Sequence, residues 1–293
     1  MTATKAIESA AVVAMLRATA CGDQRLDRAG EDWVARQFLG LRERVVVDAM
    51  PRCMLRQLLE WRAPGSYGFT LARSRHFDNA LQAGLSAGME QLVLLGAGYD
   101  SRPMRFSAEL EGIAVLEVDH PATQRRKRDL VAARKLVLPS GHRFVPLDFN
   151  GVDVGQALLA QGLDPGKRTL ILWEGVSYYL PQRAVERVLQ LVPMCAPGSE
   201  IMLDYAIRRF VDGDAGTYGG AQVARWLKRI GEPFLFGLDP SEVPQFLSQH
   251  GLRAVSDLGP ADIEARYLRL RGQDHTLRTL GHVHFLRAAT VAG

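Results

Sequence analysis

The chain has few cysteines and no long apolar run. Cys21, Cys53 and Cys195 are its only cysteines, and they are scattered with no Cys-x-x-Cys spacing. This usage argues against a disulfide scaffold or a zinc site and fits a reducing cytoplasm. No segment approaches the roughly 20 apolar residues that a membrane-spanning helix needs. We therefore expect a cytoplasmic protein with no metal site and no membrane partner.

The sequence also lacks internal repeats, low-complexity segments and a strong excess of charge. The formal net charge of its 293 residues is +4, which is too small to imply nucleic-acid binding by itself. The densest basic run, residues 125–128, has no interleaved aromatic residues that would stack on bases. A solvated helix face is the favoured interpretation of this run, and no nucleic-acid partner is expected.

The most informative segment is Leu92–Asp100, which reads LVLLGAGYD. Its first four residues are apolar and lead directly into a glycine pair, Gly96 and Gly98. A buried strand followed by a turn that needs glycine is typical of the first β-loop-α unit of a nucleotide-binding sheet. Glycine matters there because the backbone must approach a ligand closely, and a Cβ would occupy that space.

Strand-like and helix-like segments alternate from this turn onward, which predicts a mostly parallel, doubly wound α/β sheet. The strands are predicted at Gln91–Leu95, Ile113–Asp119, Arg143–Asp148, Thr169–Glu174, Glu200–Tyr205, Leu252–Leu258 and His282–Arg287. We divide the chain into a helical region, residues 1–88, and a core, residues 89–293. Residues 206–235, called the excursion below, interrupt the core, either as a surface segment or as an inserted helical lid over the substrate.

Three acidic residues end predicted strands at the edge where open α/β sheets bind ligands. If the ligand is S-adenosylmethionine, Asp119 would accept hydrogen bonds from the ribose hydroxyls, and Asp148 would accept one from the adenine amino group. Glu174 would meet the methionine ammonium or line the substrate pocket. Gly96 and Gly98 would let the methionine part pass over the first turn. Each acid, taken alone, could equally be a helix cap or a turn residue.

A dinucleotide fits this pattern less well than S-adenosylmethionine does. Dinucleotide sites place a pyrophosphate at a helix N-terminus after a Gly-x-Gly-x-x-Gly turn. Here Asp100 follows the glycine pair, and its carboxylate would oppose a pyrophosphate but suit a sulfonium. The predicted cofactor is therefore S-adenosylmethionine, with a nicotinamide-dependent dehydrogenase as the rival hypothesis.

The chain resembles the leucine carboxyl methyltransferase-like family of class I S-adenosylmethionine-dependent methyltransferases. The matching stretches are ARSRHFD (72–78), QLVLLGAGYDSRPMRF (91–106), LEVDHPATQRRKR (116–128), VPLDF (145–149) and LWEGVSYYL (172–180). The resemblance implies a seven-stranded, Rossmann-like sheet whose last strand is antiparallel. It also implies that the helices within residues 1–88 form a cap over the substrate cleft.

The resemblance further implies roles for individual residues. Arg73 would pair with the cofactor carboxylate, for which a bidentate guanidinium is well suited. Phe149 would contact the adenine together with Asp148, and Glu174 would lie near the cofactor amino group. Tyr178 would lie near the substrate cleft.

The expected reaction is methyl transfer to an oxygen of a small or peptide-borne acceptor. A carboxylate acceptor needs no general base. Arg102 and Arg105 could steer it, although both could equally be salt-bridged structural residues. The hydroxyl or phenol of a secondary metabolite would need a base, for which His76, Asp78 and Tyr178 are the candidates.

Two further alternatives are less favoured. A non-catalytic, methyltransferase-like binding protein would have no physical need for three acids around a cleft. A nucleic-acid methyltransferase that acts on the amino group of a base would carry an Asn/Asp-Pro-Pro-aromatic sequence after the fourth strand, where this chain reads GVSYYL.

Overall fold

A computed structural model of the protein describes residues 3–21, 23, 32–149, 153–272 and 276–291, and no side chains before residue 10. The strands are β1 (Gln91–Leu95), β2 (Ala114–Asp119), β3 (His142–Pro146), β4 (Thr169–Trp173), β5 (Glu200–Ile207), β6 (Gly237–Leu238), β7 (Leu252–Leu258) and β8 (Val283–Thr290). The α-helices are α1 (Ala3–Ala20), α2 (Leu41–Ala49), α3 (Arg52–Arg62), α4 (Ser66–Ser86), α5 (Arg102–Arg105), α6 (Pro121–Ala133), α7 (Val154–Ala160), α8 (Gln182–Leu189), α9 (Arg208–Val211), α10 (Gly220–Ile230), α11 (Val243–Ser248) and α12 (Pro260–Tyr267). Short 3-10 helices lie at Ala35–Phe38, Ser177–Tyr179 and Pro240–Glu242. No helix in these ranges is long and apolar enough to cross a bilayer.

The strands form one sheet in the order β3-β2-β1-β4-β5-β8-β7, with β6 paired to the end of β5. Strands β1 to β5 pair in parallel, whereas β8 runs antiparallel to both β5 and β7. Every residue of β1 and β4 is buried, as continuous apolar runs in a sheet covered by helices require. The predicted doubly wound, mostly parallel α/β fold with an antiparallel last strand is confirmed.

Several predicted strand ends are displaced by a few residues. Strand β3 ends at Pro146, so Asp148 lies in the following loop rather than on the strand. Strand β6 was not predicted, because two residues carry no periodic pattern. It lies beside β5, where a Cβ on Gly237 would come within 3.1 Å of the Ala206 carbonyl oxygen, so glycine permits this close pairing.

The excursion is tied to the rest of the protein at two places. The Tyr218 hydroxyl donates to Glu60 of α3 at 2.7 Å, and the Leu235 N–H donates to the Tyr178 carbonyl oxygen at 2.7 Å. Helix α10 lies between these two attachments. A role of residues 206–235 as a lid stays a prediction.

Candidate active site

A cavity of about 430 Å³ opens at the carboxyl ends of β1 to β4, within the size range of small-molecule sites. Its wall combines the glycine turn, the loops after β2, β3 and β4, helix α1, and the end of the excursion. Eight predicted site residues line it: Arg73, Gly96, Gly98, Asp119, Asp148, Phe149, Glu174 and Tyr178. His76 and Arg102 lie outside this lining.

Both glycines of the turn have left-handed backbone conformations, with φ of +63° at Gly96 and +49° at Gly98. A Cβ on Gly96 would lie 2.4 Å from Cγ2 of Val176, so this glycine makes room for the neighbouring protein loop. A Cβ on Gly98 would meet nothing closer than the Ala10 Cβ, at 3.7 Å. The two glycines therefore differ: Gly96 is required by space as well as by its backbone conformation, whereas at Gly98 only the left-handed backbone favours glycine.

Asp119 is held rigidly at the end of β2. Its Oδ2 accepts a hydrogen bond from the Gly98 N–H, and its Oδ1 accepts one from the His120 N–H at 2.6 Å. Burial raises the pKa of Asp119 to about 6. Each carboxylate oxygen retains a second lone pair, so the group can still accept hydrogen bonds from two hydroxyls.

The loop after β3 continues the same wall. Asp148 is exposed and Phe149 is half-buried, and both line the cavity. An acidic side chain beside an apolar ring suits a flat, polar-edged group such as adenine.

Arg73 of α4 is buried between two carboxylates. Its Nε donates to Glu174 Oε1 at 2.9 Å, and its Nη1 donates to Asp204 Oδ2 at 3.1 Å and lies 3.4 Å from the Tyr178 hydroxyl. Burial alone would lower the pKa of Arg73, but the charges of Glu174 and Asp204 outweigh it and raise the pKa. The guanidinium is thus held in its charged form at the cavity wall.

Asp204 is a residue of this site that sequence reasoning missed. It is fully buried in β5, and its Oδ1 accepts a hydrogen bond from the Gly175 N–H at 2.7 Å. Burial raises its pKa, against the lowering effect of Arg73. The sequence signal that could have identified it is a single carboxylate inside the apolar strand sequence IMLDYAI.

Arg102 lies behind the wall, where it holds Glu174. Its Nη1 is 2.8 Å from Glu174 Oε2 and 2.6 Å from Asp100 Oδ2, and its Nε donates to Asp78 at 2.9 Å. Burial disfavours the charge on Glu174, but Arg102 and Arg73 outweigh that effect and lower its pKa. The structure therefore gives Arg102 a positioning role and does not place it where it could steer an acceptor.

His76 lies in a different part of the core. Its Nδ1 is 2.6 Å from the Tyr267 hydroxyl, and its ring stacks on Phe285 with a centroid distance of 5.2 Å. Burial lowers its pKa to about 4. This neutral ring is not placed to act as a base in the cavity.

A buried ionic cluster supports the glycine turn from behind. Lys127 of α6 is fully buried; its Nζ donates to the Asp100 carbonyl oxygen at 2.6 Å and lies 2.7 Å from Glu117 Oε1. The other Glu117 oxygen is 3.0 Å from Nε2 of His142. The expectation that residues 125–128 form a solvated face is therefore wrong for Lys127, although the other three members are exposed.

Further lining residues come from segments in which sequence spacing carried little chemistry. Arg17 of α1 donates from Nη2 to the Tyr99 carbonyl oxygen at 2.6 Å, beside the glycine turn. Trp226 and Glu232 reach the cavity from the excursion. Helix α1 and the excursion thus both contribute to the wall of the cavity.

The fold and the cavity define a Rossmann-like protein of the class I methyltransferase type. The sequence profile described as leucine carboxyl methyltransferase matches residues 10–192. The chain belongs to the leucine carboxyl methyltransferase family of S-adenosylmethionine-dependent methyltransferases.

Individual relatives agree with this assignment. A Bacillus subtilis protein named "Putative S-adenosyl-L-methionine-dependent methyltransferase YktD" is 29% identical over 234 residues, which cover 79% of this chain and 76% of that protein. A similarly named Rhodococcus jostii protein is 34% identical over 192 residues, 63% of each chain. A Mycobacterium avium relative is 34% identical over 144 residues, 46% of its length. The chain thus spans about half to three quarters of the length of these relatives.

Two solved structures share the fold. A DUF574 family protein from Streptomyces avermitilis superposes with a TM-score of 0.60 at 16% identity, covering 95% of this chain and 97% of that one. A "putative methyltransferase" from Thermobifida fusca gives 0.56 at 17% identity, covering 95% and 94%.

Proposed function

We propose that this protein transfers the methyl group of S-adenosylmethionine to an oxygen of a carboxylate on a small-molecule or peptide-borne acceptor, forming a methyl ester. When bound, the cofactor supplies an electrophilic methyl group on a sulfonium. Family membership supports the cofactor, and the cavity supplies groups that suit each part of it.

We assign lining residues of the cavity to each part of the cofactor. Arg73 would hold the methionine carboxylate, and Glu174 would accept from the ammonium. Asp119 would accept from the ribose hydroxyls, and the loop carrying Asp148 and Phe149 would hold the adenine. Because these charged groups are already fixed by protein partners, little reorganisation accompanies binding.

A carboxylate acceptor is favoured because none of the three residues predicted as a general base is suited to take a proton from an acceptor in the cavity. His76 lies outside the cavity lining. Asp78 is held by Arg102 and Arg105 at 2.8–2.9 Å. Burial raises the pKa of the Tyr178 phenol well above its usual value, so it stays protonated. A carboxylate acceptor is already ionised at neutral pH and needs none of them.

The remaining task of the protein is to align the acceptor oxygen with the methyl group and to exclude water. Val12 and Val13 of α1 and Leu235 of the excursion present apolar side chains to the cavity. If α1 and the excursion closed over the cavity, they would exclude water from it and hold the acceptor oxygen in line with the methyl group.

The test is transfer of labelled methyl groups from S-adenosylmethionine to a panel of carboxylic acids and phenols. Methyl esters release methanol when treated with base, whereas aryl methyl ethers do not. We expect base-labile label on carboxylic acids. Base-stable label on phenols would contradict the carboxylate assignment and restore hydroxyl methylation.

A further inference from the structure

Glu232 is fixed in place at the end of the excursion. Helix α10 ends with Gly231 in a left-handed conformation, φ +67°. The Glu232 N–H donates to the Leu227 carbonyl oxygen at 3.2 Å, and the Gly231 N–H donates to that of Lys228 at 3.3 Å. This pair of bonds is a Schellman motif, which defines the direction in which the chain leaves a helix.

The carboxylate of Glu232 is shielded from solvent, yet it forms no hydrogen bond within the described part of the chain. Both of its oxygens are buried, and neither makes a hydrogen bond to any described residue. Three other acids that line the described part of the cavity have partners: Asp100 pairs with Arg102, Asp119 accepts from two backbone N–H groups, and Glu174 lies between two arginines. A buried carboxylate without a partner is costly, so this one indicates a ligand group that satisfies it.

Aromatic rings surround this end of the cavity. Tyr178, Tyr179 and Trp226 line it together with Glu232. The two tyrosine rings lie 5.0 Å apart, and Phe234 packs against them at 4.3 and 5.1 Å between centroids. Burial, and next to it the negative charge of Glu232, raise the pKa of Tyr179. Aromatic rings beside a carboxylate suit an organic cation.

We propose that Glu232 and its aromatic neighbours bind a protonated amino group of the methyl acceptor, so that the acceptor is an amine-bearing carboxylic acid. This inference rests on the proposed function, because it assigns the second end of the same acceptor. An acceptor carboxylate would be repelled by Glu232, whereas an ammonium would be attracted to it. The molecule is therefore oriented with its ammonium at the excursion and its carboxylate toward the methyl group.

The experiment is calorimetric titration of the protein saturated with S-adenosylhomocysteine. The probes are phenethylamine, which is cationic at neutral pH, and 3-phenylpropionate, which has a similar shape and is anionic. The variants are Glu232→Gln and, as a matched control, Asp212→Asn, an exposed acid of the same excursion outside the cavity lining. Affinity for S-adenosylhomocysteine is measured first for each protein.

The wild type should bind phenethylamine more tightly than 3-phenylpropionate. Glu232→Gln should weaken phenethylamine binding about tenfold or more, because a charge-assisted hydrogen bond is lost, and should leave S-adenosylhomocysteine binding unchanged. Asp212→Asn should behave as the wild type. Absent phenethylamine binding, or equal affinity in the wild type and Glu232→Gln, would overturn the inference. Failure to bind S-adenosylhomocysteine would instead contradict the proposed function itself.

Discussion

Nη1 of Arg73 lies 3.1 Å from Oδ2 of Asp204, a fully buried carboxylate in the middle of the sheet. The same guanidinium bonds Glu174, and Glu174 bonds Arg102 on the far side. The position of Arg73 at the cavity therefore depends on groups from β5, from the loop after β4 and from α5. Asp204 lies outside the cavity lining, and its side chain accepts hydrogen bonds from Arg73 and the Gly175 N–H, so we assign it a positioning role.

Asp204→Ala should destabilise the protein by about 3 kcal/mol, because it leaves Arg73 and the Gly175 N–H without their buried partner. Asp204→Asn keeps a side-chain oxygen for the Gly175 N–H and should cost less. Urea unfolding measures both. The folded Asn variant should bind S-adenosylhomocysteine more weakly than the wild type, since Arg73 loses one of its two charged partners. Equal affinity would show that Asp204 has no part in holding Arg73.

Cofactor binding should weaken as the pH falls below about 6. The ribose assignment requires ionised Asp119, and burial raises its pKa to about 6. The carboxylate is therefore ionised above that pH and becomes protonated below it. The dissociation constant for S-adenosylhomocysteine should rise by up to about tenfold per pH unit below the pKa.

Calorimetry between about pH 5 and 7.5 checks this dependence across the pKa of the group. Asp119→Asn should bind more weakly at every pH and should lose the dependence on pH. A wild-type affinity that is flat across this window would remove Asp119 from the ribose site.

Lys127→Met should destabilise the protein by about 3–5 kcal/mol, because a buried pair loses one partner. Glu117 would keep only His142, and the Asp100 carbonyl oxygen would lose its donor. The matched control is Arg125→Met on the exposed face of the same helix, which should change stability by no more than about 0.5 kcal/mol. Equal effects of the two substitutions in urea unfolding would contradict the supporting role assigned to Lys127.

His76 and His282 should each contribute a loss of stability as the pH falls from about 6.5 toward 4. Burial lowers the pKa of both histidines to about 4, below the ordinary value of 6.5. At these two positions the unfolded chain binds more protons than the folded protein in this window, so their contribution favours folding at the higher pH, whereas the raised pKa of Asp119 contributes in the opposite direction. Each histidine contributes up to about 3 kcal/mol to the change.

Urea unfolding at the two ends of the window, with the wild type and His76→Gln, measures the contribution of His76. The variant should show a smaller loss on acidification. It should also retain methyl transfer, because His76 lies outside the cavity lining. A variant that folds but cannot transfer methyl groups would return His76 to the list of catalytic candidates.

The sequence predicted the sheet well, because its central strands are continuous apolar runs. Strand β1 has the predicted boundaries, and β4 ends one residue early, at Trp173. The predicted acids Asp119, Asp148 and Glu174 follow parallel strands, and all three line the cavity at the carboxyl edge of the sheet. Both results depend on local patterns that a single sequence displays.

The contacts that organise the site could not be predicted in the same way. Arg73 is 101 residues from Glu174 and 131 residues from Asp204, and no local pattern links them. Lys127 belongs to a basic run, yet its packing against Glu117 of β2 decides that it is buried. The role proposed for Glu232 could not be predicted for the same reason, because it depends on the cavity that the side chain lines and not on the residues next to it in the chain.

The most direct test of the account is calorimetric titration of the purified protein with S-adenosylhomocysteine and with NAD. We expect S-adenosylhomocysteine to bind with a dissociation constant of about micromolar. We expect NAD not to bind, because an acidic residue, Asp100, follows the glycine pair and would oppose a pyrophosphate. Binding of NAD in place of S-adenosylhomocysteine would contradict the account.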